Sequence, residues 1–355
     1  MLNVGWLNTQ TIAYLSSLGY KFYIKNDCSF SFYDFNLADQ LSNVDLICQA
    51  GMLSAVFFGW FPTNICMARV WSHLNTLNAQ WAKVERSGLL ERSAIENAKG
   101  WSVFQIACHC FLTVGYGSMS FLLMLHISIP WHIGLVVLIF VLTIFHSPSG
   151  FLVQLITSQY MHLAIKGLQS WQKRLDCILK KQDKREAKAS AVFDLLEAIS
   201  YFDDHFGPLL LCEMAICFIG QIFTYFFLFF CYTLINQFSL SKLYFYISSL
   251  LLQLIFLLRA NNLSSLGSRL CLEMKKAKRS LQRFRRTRYT YEDEGMKYEL
   301  DSLEDQLSNE TPLKPCDVYV LNRETMNAGL GLLLTYTIVL IQFRIADSKE
   351  TSIDP

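Results

Sequence analysis

Charge is nearly missing from the middle of six long stretches of this 355-residue chain, near 45–70, 101–128, 131–157, 209–236, 243–264 and 318–343. No Lys or Arg precedes Lys21, and Asn3, Asn8, Thr9 and Gln10 interrupt any apolar core at the start, so no secretory signal is expected there. The chain shows no internal repeat, and the central parts of the apolar stretches are nearly free of charge, which weighs against a secondary transporter. It also lacks paired carboxylates, His-rich metal spacing and Ser/His arrangements at the ends of those stretches; His73, His109, His126 and His146 are scattered. Neither an enzyme nor a cofactor is expected.

What is abundant is apolar surface: 52% hydrophobic residues, 14% aromatic, mean hydropathy +0.28. A helix needs about 20 apolar residues to cross the hydrocarbon core. The stretches reach that length and are continuously apolar rather than alternating, so the fold class is an all-α polytopic membrane protein and not a barrel. Residues 1–24, with Trp6, Leu7, Ile12, Tyr14, Leu15, Leu18 and Phe22, form either a further span or a helix along the membrane surface. Eleven cysteines are present, but Cys108, Cys110, Cys212, Cys217 and Cys231 fall inside predicted spans, where a thiol behaves as a small apolar group. Cys108-His109-Cys110 invites a metal reading; on a helix positions i and i+2 point to different faces, so packing is the expected role.

The loops set the orientation. Basic residues crowd 71–100 (Lys83, Arg86, Arg92, Lys99), 158–207 (Lys166 to Lys188) and 265–316 (Arg269 to Arg288), whereas 128–131 has none and 237–242 only Lys242. One orientation satisfies all three basic segments by placing them in the cytoplasm, with the C-terminus outside. With residues 1–24 as a span, the count is seven and the N-terminus lies inside. Asn262-Leu-Ser and Asn309-Glu-Thr then sit at or inside the cytoplasmic face, where glycosylation cannot reach them. Leu163, Leu168, Trp171, Leu175, Ile178 and Leu179, then Val192, Leu195, Leu196 and Ile199, recur at helical spacing, so the flanking spans are expected to continue as helices below the membrane. The run KKAKRSLQRFRRTR after Met274 suits anionic lipid head groups. Glu213 and Arg259, near the cytoplasmic ends of their spans, are expected to snorkel or to pair.

The last stretch reads VYVLNRETMNAGLGLLLTYTIVLIQF from Val318 to Phe343. Thr335 and Gln342 are seven residues apart and share a stripe; with their helical neighbours Ala328, Gly331, Leu332, Ile338 and Val339 they form one face. Two readings fit it. Either small residues let another helix approach and Gln342 bonds across the contact, or several copies surround an axis, with Thr335 and Gln342 facing water and ions and Ile338 or Val339 as an apolar constriction.

The pattern Thr335-Tyr336, five residues, then Gln342-Phe343 resembles the C-terminal signature of the insect gustatory receptor family, within the insect chemoreceptor superfamily. Leu303, Gln306, Lys314, Cys316, Val318-Tyr319 and Leu321-Asn322-Arg323 resemble the stretch before that family's last helix. Two departures stand out. Asn322-Arg323-Glu324 stands where the family commonly has Asp-Arg-Ser, and Thr337 stands where sugar-sensing members carry Glu.

The resemblance implies seven transmembrane helices of inverted topology, N-terminus in and C-terminus out, assembled as a homo- or hetero-tetramer around a pore lined by the C-terminal helix. On that basis residues 1–264 form the outer helices and ligand pocket, 265–345 the cytoplasmic anchor and pore helix, and 346–355 a short extracellular tail. Gln342 and Phe343 are implied at the outer gate, with Thr335, Ile338 and Val339 along the pore and Tyr336 bracing its helix. The implied pocket lies in the outer half of the membrane, where this orientation places Tyr116, Phe121, His126, Trp131, His132, Tyr225, Tyr232, Tyr244 and Tyr246. Tyr and Trp also gather there as interfacial belts. The implied partners are a small-molecule tastant, permeant cations and membrane lipid, with no nucleic acid; the implied location is the plasma membrane of a sensory neuron. Two rivals remain at this point: a secondary transporter, and a G-protein-coupled receptor, which needs the opposite orientation and whose Asp-Arg-Tyr and Asn-Pro-x-x-Tyr patterns are absent.

Overall fold

A computed structural model describes residues 43–90, 92–126, 133–181, 189–233, 240–288, 294–309 and 313–350. Residues 1–24, and with them the proposed first span, lie outside the described residues. In chain order the elements are α1 (Asn43–Arg86), α2 (Arg92–His126), α3 (Ile133–Lys181), α4 (Ala189–Thr233), α5 (Leu240–Arg288), α6 (Glu294–Asn309), a 3-10 turn at Pro315–Asp317, and α7 (Arg323–Glu350). Among the described residues the regular structure is entirely helical, and α4, α5 and α7 each contain a stretch long and apolar enough to cross a membrane.

The helices greatly exceed what a bilayer requires. At ~1.5 Å per residue the 49 residues of α3 extend about 73 Å, against ~30 Å of hydrocarbon. The surplus lies where the loops carry Lys and Arg. The helices do continue beyond the predicted spans over 158–181 and 189–207, and α5 runs on to Arg288.

Those extensions carry much of the buried core. Leu168, Trp171 and Leu175 of α3 pack with Val192, Leu195 and Leu196 of α4, Leu77, Trp81 and Val84 of α1, and Leu270, Met274, Ala277 and Leu281 of α5. Every one of these recurs at three- or four-residue spacing, the stripe that a helix can bury on one side. A Cβ on Gly167 would fall 2.9 Å from the end of the Leu195 side chain, so α3 and α4 approach closely here. Polar seams lie alongside: Tyr160 donates to Asn78 Oδ1 at 2.6 Å, and His73 Nδ1 shares a 2.9 Å hydrogen bond with the Tyr201 hydroxyl. Between α1 and α2, Gly88 takes φ +69°, a conformation that favours glycine, and its carbonyl accepts from the Arg174 guanidinium.

Helix α6 is amphipathic and too short to span. It folds back on α5, burying Leu300, Leu303 and Leu307, while Arg285 pairs with Asp301 and Glu304 at 2.8 Å each and Gln282 donates to Glu304 at 2.9 Å. These contacts hold the Glu304 carboxyl below the usual range, the Gln282 hydrogen bond first and Arg285 after it.

The last span begins later than the sequence suggested. Residues 318–322 are not helical, because Asn322 caps the helix: its Oδ1 accepts from Thr325 N at 2.8 Å, and the first helical residue is Arg323. At its far end α7 runs on to Glu350 rather than stopping at Phe343.

Candidate pore helix and its mounting

Helix α7 has one buried side and one open side. Met326, Leu333 and Thr337 are buried, and Gly329 lies so close to α4 that an added Cβ would fall 2.5 Å from the Phe218 ring. Ala328, Gly331, Leu332, Thr335, Ile338, Val339 and Gln342, the face singled out in the sequence, are all exposed in the single chain. Tyr336 (59%) and Phe343 (62%) are exposed as well, so within one chain Thr337, and not Tyr336, is the residue that packs inward. Thr335 and Thr337 each spend their hydroxyl on the carbonyl four residues back, at 3.0 and 2.9 Å. Only 17% of the apolar window of α7 is buried, against 53% for α4 and 44% for α5. One chain therefore leaves this helix largely uncovered.

The connection into α7 is clamped on two sides. On α4, Asp203 Oδ2 accepts from Lys314 N at 2.8 Å, and a Cβ on Gly207 would lie 3.2 Å from the Cys316 backbone nitrogen. On α5, Ser268 Oγ accepts from Arg323 N at 2.7 Å, and the Arg323 guanidinium donates to Ser265 Oγ at 3.2 and 3.3 Å. Gly267 sits between those serines with the Leu321 carbonyl oxygen 2.0 Å from where a Cβ would stand, which only glycine permits. Within the connection Cys316 and Asp317 hold φ of +53° and +56° without being glycines, a conformation that costs each about 1–3 kcal/mol. The surrounding clamps hold the turn in that shape.

Asn322 departs from the family's usual Asp, whereas Arg323 matches the family's Arg. Asn322 keeps a side-chain oxygen for the cap, and Arg323 keeps the hold on α5. Sequence reasoning passed over Asp203, Ser265, Gly267 and Ser268. The small-residue run from Ser264 to Ser268 was the available signal, because small residues in a membrane helix mark close approach.

One turn inside the apolar zone, Glu213 of α4 and Arg259 of α5 form an ion pair, with side chains 0% and 10% exposed. Cys217 Sγ donates to Glu213 Oε1 at 3.9 Å. Of the two roles expected for this pair, the structure shows mutual pairing and not snorkelling. In the Cys108-His109-Cys110 segment, His109 stacks on Phe151 of α3, ring centroids 4.3 Å apart.

Of the residues expected to line a ligand pocket, Tyr116, Tyr225, Tyr244 and Tyr246 are half-buried. Trp131 and His132, and the side chains of Phe121, His126 and Tyr232, lie outside the described residues. Helices α2 and α5 meet at Gly115 and Leu251, 3.4 Å from an added Cβ. Tyr116 follows that contact directly, and Tyr246 stands about one and a half turns from it toward the start of α5. A separate open cleft of about 460 Å³ lies among Gln80, Phe193, Glu197, Tyr201, Asp204 and Gln306, on α1, α4 and α6, well away from these tyrosines.

A profile of the 7tm chemosensory receptor family matches residues 28–347. Among solved structures, the chain is similar to the insect olfactory receptor OR5 from Machilis hrabei in complex with eugenol, at 13% identity and a TM-score of 0.63, over 84% of this chain and 82% of that one. A second structure of the same Machilis hrabei receptor gives 12% identity and a TM-score of 0.60 over the same shares. No curated protein matches the chain by sequence. The structural likeness shows the fold; the family match, spanning nearly the whole chain, shows kinship with multi-pass membrane receptors and not with enzymes. The chain belongs to the 7tm chemosensory receptor family.

Proposed function

We propose that this chain is a gustatory receptor that works as a ligand-gated, non-selective cation channel, four copies placing α7 around a common pore. The observation that carries the reading is the two-sidedness of α7. Its buried side is fixed to α4, while its open side presents small, polar and apolar residues in register: Ala328 and Gly331, then Thr335, then Ile338 and Val339, then Gln342. Lipid alone gives no reason for an exposed amide at Gln342 on the same stripe as Thr335. A water-filled axis does, with Ile338 and Val339 as a constriction that gates by dewetting. Phe343 stands beside Gln342 at the outer gate, and Tyr336, being exposed in one chain, braces α7 against a neighbouring copy.

The clamped turn between α6 and α7 gives a route from ligand to pore. Asp203 and Ser268 tie it to α4 and α5, so a shift between those helices moves the start of the pore helix. The proposed ligand is a small organic tastant of the non-sugar kind, bitter compounds included. Thr337, in the place of the sugar-linked Glu, is buried and bonded within its own helix, which supports that choice. OR5, similar in fold, is described in complex with the odorant-sized molecule eugenol. Residues 1–264 supply the outer helices and pocket, 265–345 the anchor and pore helix, and 346–355 the tail at the outer face of the plasma membrane of a sensory cell.

Single-particle imaging of the purified chain in lipid nanodiscs tests this without any ligand. A four-fold particle with α7 at its centre is expected, and Gln342→Ala should then alter permeation at unchanged surface expression. A monomer, or α7 facing lipid on the rim, overturns the pore.

A further inference from the structure

Two glutamines lie deep in the bundle with their carboxamides unused. Gln221 of α4 is 0% exposed and Gln253 of α5 is 4% exposed, and neither the oxygen nor the nitrogen of either amide has a hydrogen-bond partner among the described residues. Each stands near the midpoint of its predicted span, 209–236 or 243–264. A buried polar group without a partner is costly, and most costly where the surroundings are hydrocarbon.

The register of the helices brings the two together. The Glu213–Arg259 ion pair fixes α4 along α5, and Gly220, whose Cβ would fall 2.5 Å from the Phe256 ring, fixes it a second time. At ~1.5 Å rise per residue, either anchor sets Gln221 and Gln253 within about 3 Å of the same height.

Their directions agree as well. On α4, Glu213 and Gly220 mark the side against α5, and Phe218, beside Gly329, marks the side against α7. At about 100° per residue, Gln221 projects between those two sides. On α5, Gly267 and Ser268 mark the side that holds the start of α7, and Gln253 projects within the arc they define. Both amides therefore point to the junction of α4, α5 and α7. Leu333, one turn beyond Gly329 and 1% exposed, supplies an apolar wall there.

Some other polar residues in this bundle find protein partners, although the buried Thr157 hydroxyl does not among the described residues. Thr224 donates to the Gly220 carbonyl at 2.6 Å, and Asn262 of α5 donates to Ser158 Oγ of α3 at 3.0 Å. A hydroxyl can bond back four residues along its own helix. A glutamine is too long for that and must find a partner across the helices or in a ligand.

We propose that Gln221 and Gln253 are the polar contacts of a ligand site at the α4–α5–α7 junction, for a small uncharged molecule that carries a hydroxyl or a carboxamide. Two carboxamides offer two NH2 donors and two carbonyl acceptors. A hydroxyl or amide meets both kinds at once, whereas an ether only accepts. An ionised ligand at this depth is disfavoured, since Glu213 and Arg259 neutralise one another below the site. A molecule held here touches the buried side of α7, so binding and the position of the pore helix are linked. The inference rests on the receptor reading only for what binding achieves.

Purified full-length chain in nanodiscs would be titrated with benzyl alcohol, benzamide and benzyl methyl ether, following thermal unfolding. Benzyl alcohol and benzamide should bind about tenfold more tightly than the ether, and Gln221→Leu and Gln253→Leu should each abolish that preference. Equal affinities in the wild type, no binding of any of the three, or a preference that survives both substitutions would overturn the site. A single-particle map of the wild type with benzamide decides the case even where the variants fail to fold. Benzamide bonded to both side chains supports the site; the two carboxamides bonded to each other across a closed interface refute it. The assay reads binding and not current, so a bound probe in a protein that passes no ions would refute the channel and leave the site standing.

Discussion

Replacing Gly267 by alanine puts a methyl carbon 2.0 Å from the Leu321 carbonyl oxygen and 2.9 Å from its carbonyl carbon. Both are backbone atoms, so no rotamer change relieves the contact. An ordinary carbon–oxygen approach is about 3.4 Å, and the connection must retreat by roughly 1.4 Å to reach it. That retreat takes the Arg323 N to Ser268 Oγ bond, now 2.7 Å, well past bonding distance, and breaks the longer Arg323–Ser265 contacts. Overpacking of this kind costs about 1–3 kcal/mol, and each lost hydrogen bond adds about 0.5–1.5 kcal/mol. Against this, alanine is the better helix former by about 1 kcal/mol. The net expectation is a loss of about 2–4 kcal/mol, read as a fall of several degrees in thermal midpoint for the chain in nanodiscs. Faster hydrogen exchange should be confined to 313–325. Gly331→Ala is the matched control, because nothing lies within 4 Å of its Cβ in one chain. There the propensity gain stands alone, and the dissociated chain should be unchanged or slightly more stable. If Gly267→Ala melts with Gly331→Ala, the connection is not held against α5 as described.

Breaking the buried ion pair from one side should be worse than removing it whole. Arg259→Met is expected to cost about 3–5 kcal/mol by stranding Glu213, and Glu213→Leu/Arg259→Met to restore most of that; an additive loss in thermal unfolding would contradict it. Because Glu304 is held below its ordinary value, the α5–α6 contact contributes its stability above the usual glutamate range and loses it as pH falls through the lowered value. The group is half-buried at the surface, so the effect should be small, and hydrogen-exchange protection within 294–309, taken relative to the intrinsic exchange rate at each pH, should fall on acidification in wild type but not in Glu304→Gln. A C-terminal epitope tag should be reached by antibody on intact cells; labelling only after permeabilisation would reverse the orientation.

How much of this was readable beforehand follows from how each feature is encoded. The long helices and their continuation past the apolar stretches were legible because helical periodicity is local: Leu168, Trp171 and Leu175 declare a buried stripe without reference to anything else. The open face of α7 was legible for the same reason, since Thr335 and Gln342 share a stripe in any helix. The clamp was not. Asp203 and Lys314 are 111 residues apart, and Ser268 and Arg323 are 55 apart. Each is an ordinary polar residue in its own segment, and only the packing of α4 and α5 gives it a partner. The late start of α7 was missed because apolar character continues from Val318 whether or not the backbone is helical; the cap at Asn322 decides the boundary, and the strained turn at Cys316 and Asp317 precedes it.

The same contrast explains why the clamp sits where it does. On the proposed channel reading α7 must move, and it is covered less than α4 and α5. Its position in one chain then depends on one buried side, with Met326, Leu333 and Thr337 inward and Gly329 against Phe218, and on the bonds that Ser265 and Ser268 make to Arg323 and Asp203 makes to the preceding turn. Those starting bonds come from two helices that are tied to each other by Glu213 and Arg259 a short way above. A ligand that changes how α4 lies on α5 must therefore act on the ion pair, on the clamp, or on both, before α7 responds. A site between Gln221 and Gln253 would lie above that pair on the same interface, where a small wedge has the longest lever on the start of the pore helix.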